Sequence, residues 1–268
     1  MGKGKPFLEV LASAIHEDYR FPILEIFAFL YTLGTFVFAS FGSSIVTSTV
    51  TNESVAYTLT SSLLGLPLFI FIILIFKNIA YGFGGDLEKG IIQSYLSYPL
   101  KRWKILTAKL LSAIGIALIL FLSIQISALY VLAPDVISPY LGTVLLTYAA
   151  NFSSSLFVAG ILLLVTLVLR RGGLTLVVGI VLYFSMSIIS SVTLVVAFAT
   201  DSQLPLQIMS VIAPNVVLSQ YYSVSVGFGN GLWTPAFSEV FLFMGTSYAI
   251  IAGLFFLGYY YFSRRLGL

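Results

Sequence analysis

The chain predicts an all-α polytopic membrane protein, and three observations predict it. Hydrophobic residues fill 59% of its 268 positions and charged residues only 9%, with a mean hydropathy of +1.05. Soluble domains carry about 45–50% apolar and about 25% charged residues. Apolar stretches of the ~20 residues needed to cross a bilayer core recur about six times. The cations fall in a one-sided pattern around those stretches.

Taken in order, residues 6–20 read as an amphipathic helix in the interface plane. Phe7, Leu8, Leu11 and Ile15 share one face, and Glu9, Ser13, His16 and Glu17 lie largely elsewhere. His16, the lone histidine, reads as a solvated polar-face residue, because a metal site needs several donors. Pro22 suits the first turn of a helix. Spans are expected over 22–42, 59–77, 105–133, 140–169, 174–199 and 237–262, within a single transmembrane domain covering 1–268. Residues 43–58, rich in Ser and Thr, and the Ala133–Pro139 turn are short connections. Residues 200–236 contain apolar runs broken by Pro205, Pro214-Asn215, 227–231 and Pro235, which read as re-entrant or surface-lying elements. Trp233 is expected in the outer aromatic belt, with Trp103 and Tyr259 to Tyr261 in the inner one. No cleavable signal peptide is expected, since residues 1–5 lead into a mixed segment, and the first span would act as its own insertion signal.

Under this assignment all 13 Lys and Arg residues fall on one side, while the other carries Glu53, Asp135, Asp201 and Glu239. The positive-inside rule then places both termini in the cytoplasm of a multi-pass cell-membrane protein. The net charge of +3 is a topology signal, not a nucleic-acid footprint, because no basic stripe with interleaved aromatics exists. The lack of cysteine excludes disulfides and thiolate metal sites. Asn52-Glu-Ser54 is a glycosylation sequon on the expected outer face.

Zinc, nucleophile-elbow and phosphate-loop motifs are absent, so no catalytic, cofactor-binding or metal-binding residue is assigned. Gly82-Phe-Gly-Gly-Asp86 falls short of the Gly-x-Gly-Asp of intramembrane aspartyl proteases and reads as a flexible exit from the second span. The third to fifth spans have no ionisable residue near their centres, which disfavours coupling to an ion gradient. Gln125 and Asn151 read as helix-to-helix glue.

One charged segment, Gly85 to Arg102, lies between the second and third spans. A helix beginning at Asp86 would place acids at its positive end, present Ile91, Ile92, Tyr95 and Leu96 on one face and stop before Pro99. A solvated loop explains the same residues equally well.

The segment resembles the coupling region of ATP-binding-cassette (ABC) permeases of the type-2 exporter class. Those carry Glu-x-Glu-x-Gly-Thr, then Leu-x-x-Pro-Ile/Leu-Ser/Thr-Arg, then a Lys before the next span. Here the matching residues are Asp86, Glu88, Gly90 and Ile91, then Leu96, Pro99, Leu100, Lys101 and Arg102, then Lys109. Asp86, Ile91 and Lys101 depart from the family pattern. The resemblance implies a transmembrane subunit that binds no cofactor itself, with ATP and Mg on a separate nucleotide-binding subunit, and a second permease chain completing a dimer in membrane lipid. It further implies a coupling helix over 85–98 contacting the ATPase through Asp86, Glu88, Gly90, Ile92, Tyr95, Leu96, Pro99 and Arg102, and an outer gate at Pro214 and Asn215. The expected cargo is hydrophobic or amphipathic, such as a lipid-like compound, drug or peptide. The alternatives are a non-transporting anchor or assembly subunit that docks an ATPase, and an ion-coupled carrier.

Overall fold

The computed structural model describes residues 6–42, 52–96, 100–225 and 232–264, and contains helices but no strand among them. In chain order they are α1 (Pro6–Asp18), α2 (Ile23–Gly42), α3 (Asn52–Phe76), α4 (Gly84–Glu88), α5 (Ile91–Leu96), α6 (Arg102–Leu110), α7 (Ala117–Leu132), α8 (Pro134–Ile137), α9 (Leu141–Leu169), α10 (Gly172–Thr200), α11 (Leu204–Ile212), α12 (Asn215–Ser225) and α13 (Phe237–Arg264). Two π-helical stretches, Lys77–Phe83 and Leu111–Ile116, join α3 to α4 and α6 to α7 without ending the helix. Among the described residues, five continuous helices are therefore long and apolar enough to cross a membrane: Glu53–Glu88, Arg102–Leu132, α9, α10 and α13. A sixth crossing results if Pro6–Asp18 and Ile23–Val37, bent by 63° to one another, count as one unit. The chain is an all-α polytopic membrane protein.

Helix ends follow from local chemistry. Arg170 and Asp201 close α9 and α10 in the left-handed conformation, with φ of 51° and 47°. Pro134 and Pro205 open α8 and α11, where a missing backbone N–H costs nothing. Pro214, between α11 and α12, separates two amphipathic rods too short to cross a bilayer.

The central core is aromatic. Phe121 of α7 packs against Tyr31 of α2, Phe71 of α3 and Phe152 of α9 with ring centroids 5.6, 5.3 and 5.3 Å apart. Beside it Gln125 Nε2 donates to Thr35 Oγ1 at 2.5 Å, tying α7 to α2. Without a hydrophobic drive between helices in lipid, such contacts and hydrogen bonds set the bundle. Helix α9 is its hub, with 56% of its apolar window buried, against 6% for α10, which runs along the periphery. Val177, Val181, Phe184, Ile188, Val192 and Val195 form the exposed apolar side of α10.

Two surface expectations are corrected. Trp233 is buried, edge-on to Phe243 at 5.7 Å and clustered with Leu218, Tyr222 and Met244, so it closes a protein core instead of anchoring a belt. In α1 the buried residues are Val10, Ala14 and Asp18, while Leu8 is exposed. That helix turns its narrow, small-residue face inward, with Phe7 and Leu11 as shoulders against Val10 and Ile105.

Candidate functional site

The charged segment is built from the end of a spanning helix. Helix α3 continues beyond Lys77 through the first π-helical stretch into α4, so Asp86 and Glu88 lie at the last turns of a rod that began at Asn52. The expected single helix over 85–98 is instead α4 and α5, separated at Lys89 and Gly90. Gly90, at φ 71°, takes the left-handed turn that a side chain would resist. Residues 97–99, including Pro99, lie outside the described residues.

Gly82 and Gly84, with Gly172 opposite, form a contact seam, which corrects the reading of that run as a flexible exit. A Cβ on Gly82 would stand 2.6 Å from Asp18 Oδ1, and one on Gly172 would stand 2.9 Å from the Ala80 carbonyl oxygen. The backbone of α3–α4 is thereby pressed against α1 on one side and the α9–α10 turn on the other.

At this seam the fold buries an ionic cluster. Lys109 Nζ, projecting from α6, lies 2.5 Å from Asp86 Oδ2 and 2.8 Å from Glu17 Oε2. Lys109 and Asp86 are 3% and 1% exposed, so the attraction is only weakly screened and each depends on the other to offset its desolvation. The ammonium also stands 5.0 Å from the Tyr95 ring centroid. Next to this pair, Asp18 Oδ2 accepts from Ser112 Oγ at 2.5 Å, and Lys77 Nζ donates to the Asp18 carbonyl at 2.6 Å. Tyr19 Oη donates to the Ser112 carbonyl while accepting from Asn78 Nδ2. Asn78 and Ser112 lie on the two π-helical stretches, so both irregular turns hold the C-terminal end of α1. A π turn carries one extra residue, which re-aims side chains that a regular helix would send elsewhere.

The other candidate residues divide between inward and outward positions. Glu88 Oε2 accepts from the Gly172 backbone N–H at 2.9 Å, placing a carboxylate at the N-terminal end of α10. Ile92 is fully buried among Leu87, Leu106, Leu163 and Phe262, while Tyr95 and Leu96 are half-buried against α1 and α6. Ile91, Gln93 and Lys89 are exposed, as is Arg102 at the start of α6. Asn52 opens α3, and its side chain lies outside the described residues. Pro214 and Asn215 belong to the opposite end of the bundle, where Pro214 is buried between α11 and α12. The fold unites Asp86 and Lys109 directly and Glu88 with α10, and keeps the Pro214–Asn215 pair apart from them.

Glu17, Asp18, Asn78 and Ser112 escaped sequence reasoning. The signal for a partner was Lys109 itself, a cation within the apolar run from Ile105 to Ile116, which buried surroundings would oblige to find an anion. Nothing in the chain order indicated that the anions come from α1 and α4. Among the described residues no group of three or more His, Cys, Asp or Glu is placed to hold a metal ion.

No family model matches the chain, and no curated protein matches it.

Proposed function

We propose that the chain is the transmembrane subunit of an ATP-driven exporter of the ABC type-2 class, with α5 as the contact for a separate ATPase. The observation that carries this reading is the run Asp86-x-Glu88-x-Gly90, then Leu96-x-x-Pro99-x-x-Arg102, then Lys109, on a segment continuous with a spanning helix. Its clamps onto α1, α6 and α10 through Lys109 and Glu88 support a mechanical role. A push on α5 would move α3, α6 and the end of α1 as one body, which is how closure of a partner reaches distant gates. Both termini lie in the cytoplasm on the strength of the one-sided cations, and a dimer in the cell membrane follows from the resemblance. Pro214 and Asn215 serve near the outer gate, and the cargo is amphipathic.

The exposed residues of α5 are the ones to change, because inward-facing positions confound docking with folding. Ile91→Asp is expected to abolish amphiphile-stimulated ATP hydrolysis in vesicles containing the chain and the ATPase encoded beside it, while thermal unfolding of the permease stays unchanged. Normal stimulated hydrolysis in Ile91→Asp would sink the docking assignment, and the lack of any neighbouring ATPase with a phosphate loop would sink the exporter reading.

A further inference from the structure

Toward the end of the bundle that holds Pro214, two adjoining cavities of about 250 and 320 Å³ open between α3, α9, α10, α11 and α12. They share Asn151, Ser190, Ser191, Met209 and Asn215. The smaller one has room for about eight waters at ~30 Å³ each, or for a group the size of one sugar ring. Ser154, Ser155 and Ser187 add hydroxyls to the first wall, and Ser219 adds a hydroxyl and Gln220 a carboxamide to the second. None of the described lining residues is Asp, Glu, Lys, Arg or His.

The state of the polar groups specifies what fits. Ser154 Oγ donates to the Asn151 carbonyl, Ser191 Oγ to the Ser187 carbonyl, Ser219 Oγ to the Val216 carbonyl and Asn151 Nδ2 to the Thr147 carbonyl. Those hydroxyl protons and one of the two Asn151 N–H groups are used within their own helices, while the oxygens keep free lone pairs. Ser155 Oγ, on a residue 2% exposed, and Asn215 Oδ1 are buried without any hydrogen-bond partner. The wall thus offers unused acceptors such as Asn215 Oδ1 and hydroxyls such as Ser155 Oγ that can donate or accept, so an uncharged guest rich in hydroxyls can pair with it. A cationic guest would meet no carboxylate, and burying an unpaired charge costs far more than burying a neutral polar group that is hydrogen-bonded. The cavity meets the surface along α10, where Ser187 and Ser191 are exposed next to the apolar side formed by Phe184, Ile188 and Val192.

We propose that this cavity binds the uncharged, hydroxyl-rich head group of a lipid-like molecule whose apolar tail lies along the exposed side of α10. As a transport substrate site it rests on the exporter reading above; as a binding site it does not.

The test is lipid retention. The full chain, extracted in a detergent without a sugar head group, is placed in phosphatidylcholine nanodiscs containing small equal amounts of monoglucosyl diacylglycerol and phosphatidylglycerol with the same acyl chains. Lipid bound to the released protein is then counted by native mass spectrometry. The expected result is at least tenfold enrichment of the glucosyl lipid over both phospholipids. It should be lost in Ser155→Leu and in Ser187→Leu, the latter at an exposed position that does not challenge folding. Ser123→Leu, on α7 away from the cavity, should retain it. No enrichment over phosphatidylcholine, equal retention of phosphatidylglycerol or undiminished retention in Ser187→Leu would overturn the proposal, leaving the cavity to water. The two readings fail separately. Glucosyl-lipid binding without ATP-dependent movement leaves the site standing and removes the exporter, whereas ATP-dependent efflux of other amphiphiles without such binding does the reverse.

Discussion

The two polar regions of this bundle are built on opposite terms. At the charged end, Lys109 is held by Asp86 and Glu17, Asp18 by Ser112, and Glu88 by the Gly172 amide. In the cavity beside Asn215, the described lining bears no charge, and Ser155 Oγ and Asn215 Oδ1 are buried without partners. The charged end also leaves Asn78 Oδ1 buried without a partner, so what separates the two regions is that opposite charges face each other in the first, whereas the second offers only uncharged groups in a roomy site. In the proposed reading the first region is a joint, whose partners are internal, and the second a pocket, whose partners would come from a guest.

The largest effect is expected at Lys109. Lys109→Met would strand Asp86 in the interior, and loss of one partner of a buried pair costs about 3–5 kcal/mol, so thermal unfolding in a fixed lipid should drop steeply and folded yield with it. Asp86→Leu on that background should recover much of the loss. If Lys109→Met unfolds like the parent, the cluster is not a joint.

Next in size is the seam. Gly172→Ala drives a methyl group into the Ala80 carbonyl and the Gly85 amide, at 2.9 and 3.3 Å, and overpacking of this kind costs about 1–3 kcal/mol. Gly173→Ala meets nothing within 4 Å and should be neutral or slightly stabilising, since Ala is the better helix former. Equal effects in a chemical-denaturation pair would remove the seam from the argument.

Glu88→Ala takes one acceptor from the start of α10, worth about 1 kcal/mol by analogy with helix caps. Glu88→Gln, which keeps an acceptor oxygen, should recover most of it, and faster hydrogen exchange at the first turn of α10 in the alanine variant alone is the expected readout. Smallest of all is Ser155→Ala. Deleting a hydroxyl that has no partner should change stability by less than about 0.5 kcal/mol, or raise it. A loss as large as that of Lys109→Met would mean that the cavity serves structure and not recognition.

Much of the architecture was legible because bilayer physics writes it into composition. The last span was expected over 237–262 and the helix covers Phe237–Arg264; the expected 140–169 span corresponds to Leu141–Leu169. A long apolar run has few other ways to satisfy its backbone in lipid. The second span shows where that legibility stops. Its apolar signal fades at Lys77, yet the helix continues to Glu88, because Asp18, Gly172 and Lys109 supply the contacts that a charged end needs. Asn151, which reads as glue, spends its amide on its own helix and lines a cavity, a placement set by the rotation of α9 against α10 that no periodicity encodes.

The sequence by itself determined that this is a helical membrane protein, where its apolar rods lie and which segment interrupts them with charge, since these depend on local composition against the thickness of a bilayer. Tertiary structure alone decided that Asp86 faces Lys109 and not solvent, that Trp233 closes a core, and that serines scattered over α9, α10 and α12 converge on two adjoining uncharged cavities. Those outcomes depend on which faces of distant helices meet. In a chain apolar on nearly every side, hydrophobicity no longer marks the inward face, and close contact and pairing of the few polar groups select it.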